Sequence, residues 1–201
     1  MADLRALPDL SDDDGDMEST TLGVDLFGSQ DVPRYPPIAR LGRYDILGRL
    51  ARGGMAEVYL ARSEDEDGTT RHVVVKRVLS EMAHDPVMLS LFVDEGKTAL
   101  RLFHPNVCHV YEVAETNGLT YMVLEWVHGT SLRELIQRAW RSGNLPIPLG
   151  VHIITKVASA LEYVHTARGI DGKPLSIIHQ DVTPHNVMIS WRGQVKLLDF
   201  G

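Results

Sequence analysis

A two-lobed α+β fold is predicted for this chain of 201 residues, sheet-rich first and helical second. Three observations predict it. Five short segments between Tyr44 and Trp126 carry the β-branched, alternating character of strands, interrupted by one helical segment. Past Gly129 the apolar residues recur at helical spacing instead. An apolar content of 44% with 23% charged residues suffices for one substantial core or two small lobes. Strands followed by helices put a ligand most naturally between the two parts.

Residues 1–42 read as a disordered acidic arm, rich in Asp, Ser and Thr and closing on Pro33, Pro36 and Pro37. Residues 1–31 hold nine acidic side chains and one base, Arg5, while the remaining 18 acids and 19 bases nearly cancel, leaving −7 overall. Ser19, Thr20 and Thr21 are candidate modification sites there. No basic block suggests nucleic acid. No apolar run approaches membrane-spanning length, and the start lacks a signal sequence, so no membrane contact is expected within this segment. The lone Cys108 excludes an internal disulfide or cysteine zinc site; it reads as a small buried residue suited to a reducing cytoplasm.

Tyr44–Leu50 and Glu57–Arg62 are predicted strands around a glycine-containing turn. Asp65, Glu66, Asp67 and Gly68 make a hairpin loop before the strand His72–Leu79. Asp85-Pro86 is a helix N-cap followed by proline at the first helical position, and that helix is predicted to run to about Phe103, before His104-Pro105-Asn106. Val107–Glu115 and Thr120–Trp126 are strands joined at Asn117-Gly118. Ser131 and Glu134 have capping-box spacing at the start of a helix over Ser131–Arg141. Val151, Ile154, Ala158 and Leu161 define a longer helix, and short strands near Val187–Ser190 and Gln194–Leu198 flank Arg192-Gly193.

Chemistry enters at four places. Gly53, Gly54 and Ala56 keep the first turn bare enough for backbone N–H groups to approach phosphates. Met88, Phe92, Glu95, Ala99 and Leu102 share one helical stripe, so Glu95 is a carboxylate on an apolar face. Such a group needs a cation, and Lys76, at the end of Val73-Val74-Val75, is the natural candidate. Asp181, Asn186 and Asp199 supply oxygen ligands and a carboxylate base, a set that suits magnesium–phosphate chemistry.

These residues, in this order, resemble the eukaryotic-like (bacterial-type) serine/threonine protein kinases. The likeness covers about Tyr44 to Gly201, the first half or so of a catalytic domain. It implies a kinase-like bilobal fold over residues 43–201: a five-stranded N-lobe with one main helix (about 43–124), a hinge (125–129) and an incomplete helical C-lobe (130–201). It implies Mg²⁺ and ATP as cofactors and a protein as substrate. Ala51, Gly53, Gly54, Met55 and Ala56 would form the loop over the phosphates. Val58, Val74, Leu124 and Met188 would enclose the adenine, with Glu125 and Val127 in the hinge that reads its edge. Lys76 would hold the phosphates, clamped by Glu95; Asp181 would orient the substrate hydroxyl; Asn186 and Asp199 would bind metal. His179 would be structural, and Phe200 would pack under the helix bearing Glu95.

Four departures bear on activity. Ala51 and Ala56 stand where the family's first and third loop glycines would be. Gln180 replaces an arginine that meets a phosphorylated activation loop. Thr183 replaces the lysine that neutralises the γ-phosphate, which makes the loop compatible with a tyrosine or dual-specificity kinase. Rival readings are a nucleotide-binding pseudokinase or scaffold and a small-molecule kinase. The 201 residues alone are expected to be poorly stable and inactive in trans, because their helices would expose apolar faces meant for further helices.

Overall fold

The computed structural model describes residues 37–64, 68–169 and 171–200. The acidic segment with Ser19, Thr20 and Thr21, the loop residues Asp65, Glu66 and Asp67, and Gly201 lie outside the described residues.

All five expected N-lobe strands form, and a sixth joins them. The antiparallel sheet has the order β1 (Ala39–Leu41), β2 (Tyr44–Arg52), β3 (Ala56–Glu64), β4 (Thr70–Val78), β6 (Leu119–Glu125), β5 (Val110–Thr116). β1 corrects the expected end of the acidic arm at residue 42. Ala39 and Leu41 are buried, opposite Ile46 and Tyr44. Three residues after a proline cluster are too few to show alternation, so nothing local marks the strand.

The register divides the sheet into two faces. Val58 lies opposite Lys76, and Val74 opposite Leu124, so these four side chains share one face. On the other, Tyr59, Ala61, Val73, Val75, Tyr121 and Val123 pack with Tyr44, Ile46 and β1. The turn at Asn117-Gly118 takes φ of 55° and 74°, the left-handed pair that fits a two-residue hairpin.

Helix α1 (Pro86–Ala99) crosses the first face, burying Phe92 and Ala99 with Cys108, Val110, Met122 and Leu124. Asp85 caps it, accepting from the Val87 and Met88 amides at 2.9 and 3.4 Å, and Pro86 opens it. The helix ends at Ala99 rather than near Phe103. Arg101 N donates to Thr98 O and Leu102 N to Ala99 O, tightening the chain into a turn ahead of Pro105.

The second lobe holds α2 (Leu132–Ser142), α3 (Ile147–Thr166) and the three-stranded sheet β7 (Gly129–Ser131), β8 (Val187–Ser190), β9 (Val195–Leu197). β7 was not expected. Gly129 is required in it, because a Cβ would lie 1.9 Å from the Ile189 carbonyl oxygen. α3 forms as its spacing predicts, and Leu161 packs on the core, but the first two residues of that stripe face outward. Val151 and Ile154 are 59% and 69% exposed, whereas Ile153, Ala160 and Val164 are buried with Leu102, Val107, Val187, Leu197 and Phe200. Both sides of this helix are apolar, so its period cannot say which faces in. The expectation that no apolar run approaches membrane-spanning length is corrected by α3, which at 20 residues is long and apolar enough by composition to cross a bilayer. Here it lies against the lobe's own core.

Candidate active site

β4 delivers Lys76 from the first lobe, α1 delivers Glu95, and the segment after β9 delivers Asp199. Lys76 Nζ donates to Glu95 Oε1 at 2.8 Å and to Asp199 Oδ1 at 2.9 Å. The pairing expected from the Glu95 stripe is therefore present, with a second carboxylate added. Burial acts to push the Lys76 ammonium down, but Asp199 and Glu95 outweigh it and hold it above the ordinary lysine range.

Glu95 reaches Lys76 because α1 lies close to the sheet, and Gly96 permits the approach. A Cβ there would come within 2.4 Å of Val113 Cγ2 and 3.1 Å of Met122 Sδ. Gly96→Ala is expected to lever α1 away from β5 and cost about 1–3 kcal/mol. Thermal melts of the full-length protein check this, with Val113→Ala added in the same chain restoring most of the loss.

The glycine turn is closed by Gly53 N donating to Ala56 O at 2.8 Å, with Ala51 paired to Val58. Leu79 N ties the tip down through Met55 O at 3.0 Å. Neither Gly53 nor Gly54 has a positive φ, and a Cβ on either would meet nothing closer than 3.6 Å. Their smallness thus serves neither backbone strain nor internal packing.

The catalytic-loop candidates sit at a short 3-10 turn, Pro184–Asn186. Asp181 is exposed. Asn186 Nδ2 donates to Asp181 Oδ2 at 2.7 Å and to its carbonyl at 3.0 Å, so the Asn186 amide oxygen is turned away from Asp181. His179 is 1% exposed, and its ring lies tilted at 52° against Phe200, with centroids 4.7 Å apart. Its Nε2 donates to the Leu198 carbonyl at 2.8 Å. Leu198 N donates to Asn186 O at 2.8 Å, locking the approach to Asp199 against this loop. Asp199 itself has φ of 51°. Phe200 lies in the second lobe's core, which also holds Leu102 just beyond α1, and not in the cluster around Phe92.

Val58, Val74 and Leu124 line the Lys76 face of the sheet, Val127 packs against the same cluster, and Met188 is half-buried on β8. The Asp199 carboxylate and the Asn186 amide oxygen are hard donors of the kind Mg²⁺ takes, few enough to leave room for water and phosphate oxygens. Among the described residues no cluster of three His, Cys, Asp or Glu side chains could hold a metal alone.

Two features carry no clear sequence signature. The Glu125 carboxylate accepts from Lys196 Nζ at 2.8 Å and from His109 N at 3.3 Å, joining the hinge to β9 and to the residue just before β5. A charged residue inside the apolar run Val195–Leu198 was the available signal. The Arg133 guanidinium on α2 contacts His185 beside Asn186, and no local pattern announces that pair.

The family model described as a protein kinase domain matches residues 44–201. The chain belongs to the protein kinase family. It is 34% identical over 183 residues to the Myxococcus xanthus tyrosine-protein kinase MasK, covering 90% of this chain and 28% of MasK. It is 34% identical over 160 residues to the Bacillus subtilis serine/threonine-protein kinase PrkC, covering 80% and 22%. The kinase domain of Mycobacterium tuberculosis PknI has a similar structure, with a TM-score of 0.64, 27% identity, and coverage of 81% of this chain and 61% of that one. The chain thus spans about a quarter of those two curated relatives.

Proposed function

We propose that this kinase chain binds Mg-ATP between its lobes and, in the full-length protein, transfers the γ-phosphoryl group to serine or threonine hydroxyls of proteins. The observation that carries this is Lys76, held between Glu95 and Asp199 on the sheet face that also presents Val58, Val74 and Leu124. That is an apolar shelf for a base ending in a cation for phosphates. Lys76 gives two of its three N–H donors to carboxylates, and the third suits a phosphate oxygen. The bare Gly53-Gly54 turn leaves room for backbone amides to approach the same phosphates.

Charge explains the need for the cation. Glu95 and Asp199 already face the one ammonium, and Asp181 adds a third carboxylate on the neighbouring loop, so the site repels a triphosphate unless a divalent ion joins it. Mg²⁺ held by Asn186 and Asp199 would neutralise phosphate charge as it develops. Asp181 accepts or orients the acceptor hydroxyl's proton, kept in place by Asn186. Leu124, Glu125 and Val127 supply hinge backbone for the adenine edge. The reaction belongs in the cytoplasm, where ATP and a free, buried Cys108 are both at home. Burial pushes that thiol up to about 12, so it stays protonated.

A second reading is supported by Thr183, which stands where a lysine was expected, and by the likeness to MasK, a protein named as a tyrosine kinase: the acceptor is tyrosine, or both hydroxyl types. One experiment addresses both. Full-length protein with labelled ATP and Mg²⁺ should phosphorylate a mixed protein substrate, and phosphoamino acid analysis should show phosphoserine and phosphothreonine. Phosphotyrosine would favour the second reading. ATP binding without turnover would favour a scaffold instead.

A further inference from the structure

The cationic groups of α2, which reach the catalytic loop at His185, suggest what kind of acceptor the site selects. Among the described side chains of α2, the exposed polar ones are Arg133, Gln137, Arg138 and Arg141, with Trp140 80% exposed among them. Arg133, Gln137, Trp140 and Arg141 fall at helical spacing on one stripe, about 12 Å from end to end. The helix's one carboxylate, Glu134, is half-buried and accepts from Thr130 Oγ1 at 2.6 Å, so it does not offset the stripe. The stripe begins at the catalytic loop, because Arg133 Nη1 contacts His185 Nε2 next to Asn186. A guanidinium only donates, so this imidazole nitrogen accepts and the contact keeps its positive charge on Arg133. Thr183 adds no charge of its own.

We propose, resting on the kinase reading, that this arginine–tryptophan stripe holds an acidic peptide, and that its occupant is the chain's own segment Asp9–Thr21. That segment carries Asp9, Asp12, Asp13, Asp14, Asp16 and Glu18 directly before Ser19, Thr20 and Thr21. The charges are complementary to the stripe and sit on the N-terminal side of three acceptor hydroxyls. With Ser19 at Asp181, an extended chain puts Asp14 roughly 17 Å away, far enough to run the length of α2. The reach is sufficient. The 15 residues between Thr21 and Pro37 let those two ends lie up to about 55 Å apart, against a diameter of about 40 Å for a compact body of this size. In the reaction, the acceptor oxygen forms a bond to the γ-phosphorus of ATP while the bond to the β–γ bridging oxygen breaks. ADP leaves, and the hydroxyl proton passes to Asp181 and then to solvent.

The test uses the full-length protein with Mg-ATP and three synthetic peptides: residues 9–21, the same peptide with every Asp and Glu changed to Asn or Gln, and a neutral serine peptide. We expect mass spectrometry to find phosphate on Ser19, Thr20 or Thr21 of the protein. We expect kcat/KM for the acidic peptide to exceed that of its amide version by about tenfold. Arg133→Glu and Arg141→Glu should each shrink that ratio several-fold. Arg141 lies two turns from the catalytic loop, so its variant guards against a simple disturbance around Asp181. Equal use of the acidic and amide peptides, or ratios unmoved by either charge reversal, would overturn the inference while leaving the kinase reading intact. No turnover on any peptide, with ATP still bound, would overturn both.

Discussion

Asp181→Asn in the full-length protein is expected to lower phosphoryl transfer by about 10²–10⁴-fold, the usual worth of a positioned acid–base group, with ATP affinity little changed. Asp181 is exposed at the loop surface, and its backbone is fixed independently of its charge: Asp181 N donates to His179 O at 2.8 Å. The His179 ring is in turn anchored to Leu198 O. The fold around the side chain should therefore survive. What changes is the acceptor. The Asp181 carboxylate receives Asn186 Nδ2 at 2.7 Å and keeps lone pairs for a hydroxyl proton. An asparagine there has one acceptor oxygen, which Asn186 would claim, and its amide nitrogen would face the substrate with the wrong polarity. Lys76 and Asp199 hold each other without Asp181, so nucleotide binding should persist. Initial rates and a fluorescent-nucleotide titration separate the two effects. A variant that keeps wild-type kcat would remove Asp181 from the mechanism.

How much of this was legible in the sequence depended on whether neighbours along the chain were also neighbours in space. β4 alternates, so Val74 and Lys76 share one face by strand geometry alone, whereas Val58 and Leu124 join them only through the pairing with β3 and β6. The Glu95 stripe on α1 and the Asp85-Pro86 start follow from helix geometry alone. The catalytic-loop spacing was legible because Asp181 and Asn186 bond to each other across one turn. Failures occurred where a choice depends on distant partners. α3 is apolar on both sides, so only the packing of β9 and Phe200 decides that Ile153 turns inward and Ile154 outward. β1 exists only because β2 offers it an edge. Glu125–Lys196 joins residues 71 apart, and Arg133–His185 residues 52 apart, so no local pattern carries either.

Glu57→Ala should be the most damaging substitution for stability, by about 3–5 kcal/mol. Glu57 is only 6% exposed, on the sheet face away from Lys76. It accepts from Arg77 Nη2 at 2.6 Å, Tyr59 OH at 2.8 Å and Arg49 Nη1 at 3.3 Å. Arg77 is itself 5% exposed, so removing the carboxylate takes away the charge that meets its buried Nη2 at 2.6 Å. Replacing both partners with apolar residues, Glu57→Leu with Arg77→Met, should recover much of the loss, which distinguishes a broken buried ion pair from a cavity. The same group sets an acid limit. Burial alone would raise Glu57, but the Tyr59 hydrogen bond and the Arg77 and Arg49 charges outweigh it and hold it below the ordinary carboxylate range. A carboxyl depressed in the folded state contributes its stability above its unfolded value of 4.5, and loses it as pH falls through the folded value. Wild-type melts should therefore fall faster than those of Glu57→Gln below about pH 4.5. Parallel curves would show that Glu57 is not the group responsible. The consequence reaches the active site, because Glu57–Arg77 staples β3 to β4 one residue from the Val58–Lys76 pair. Weaker ATP binding in the alanine variant at pH 7, and its return in the double apolar variant, would link the buried pair to the position of Lys76.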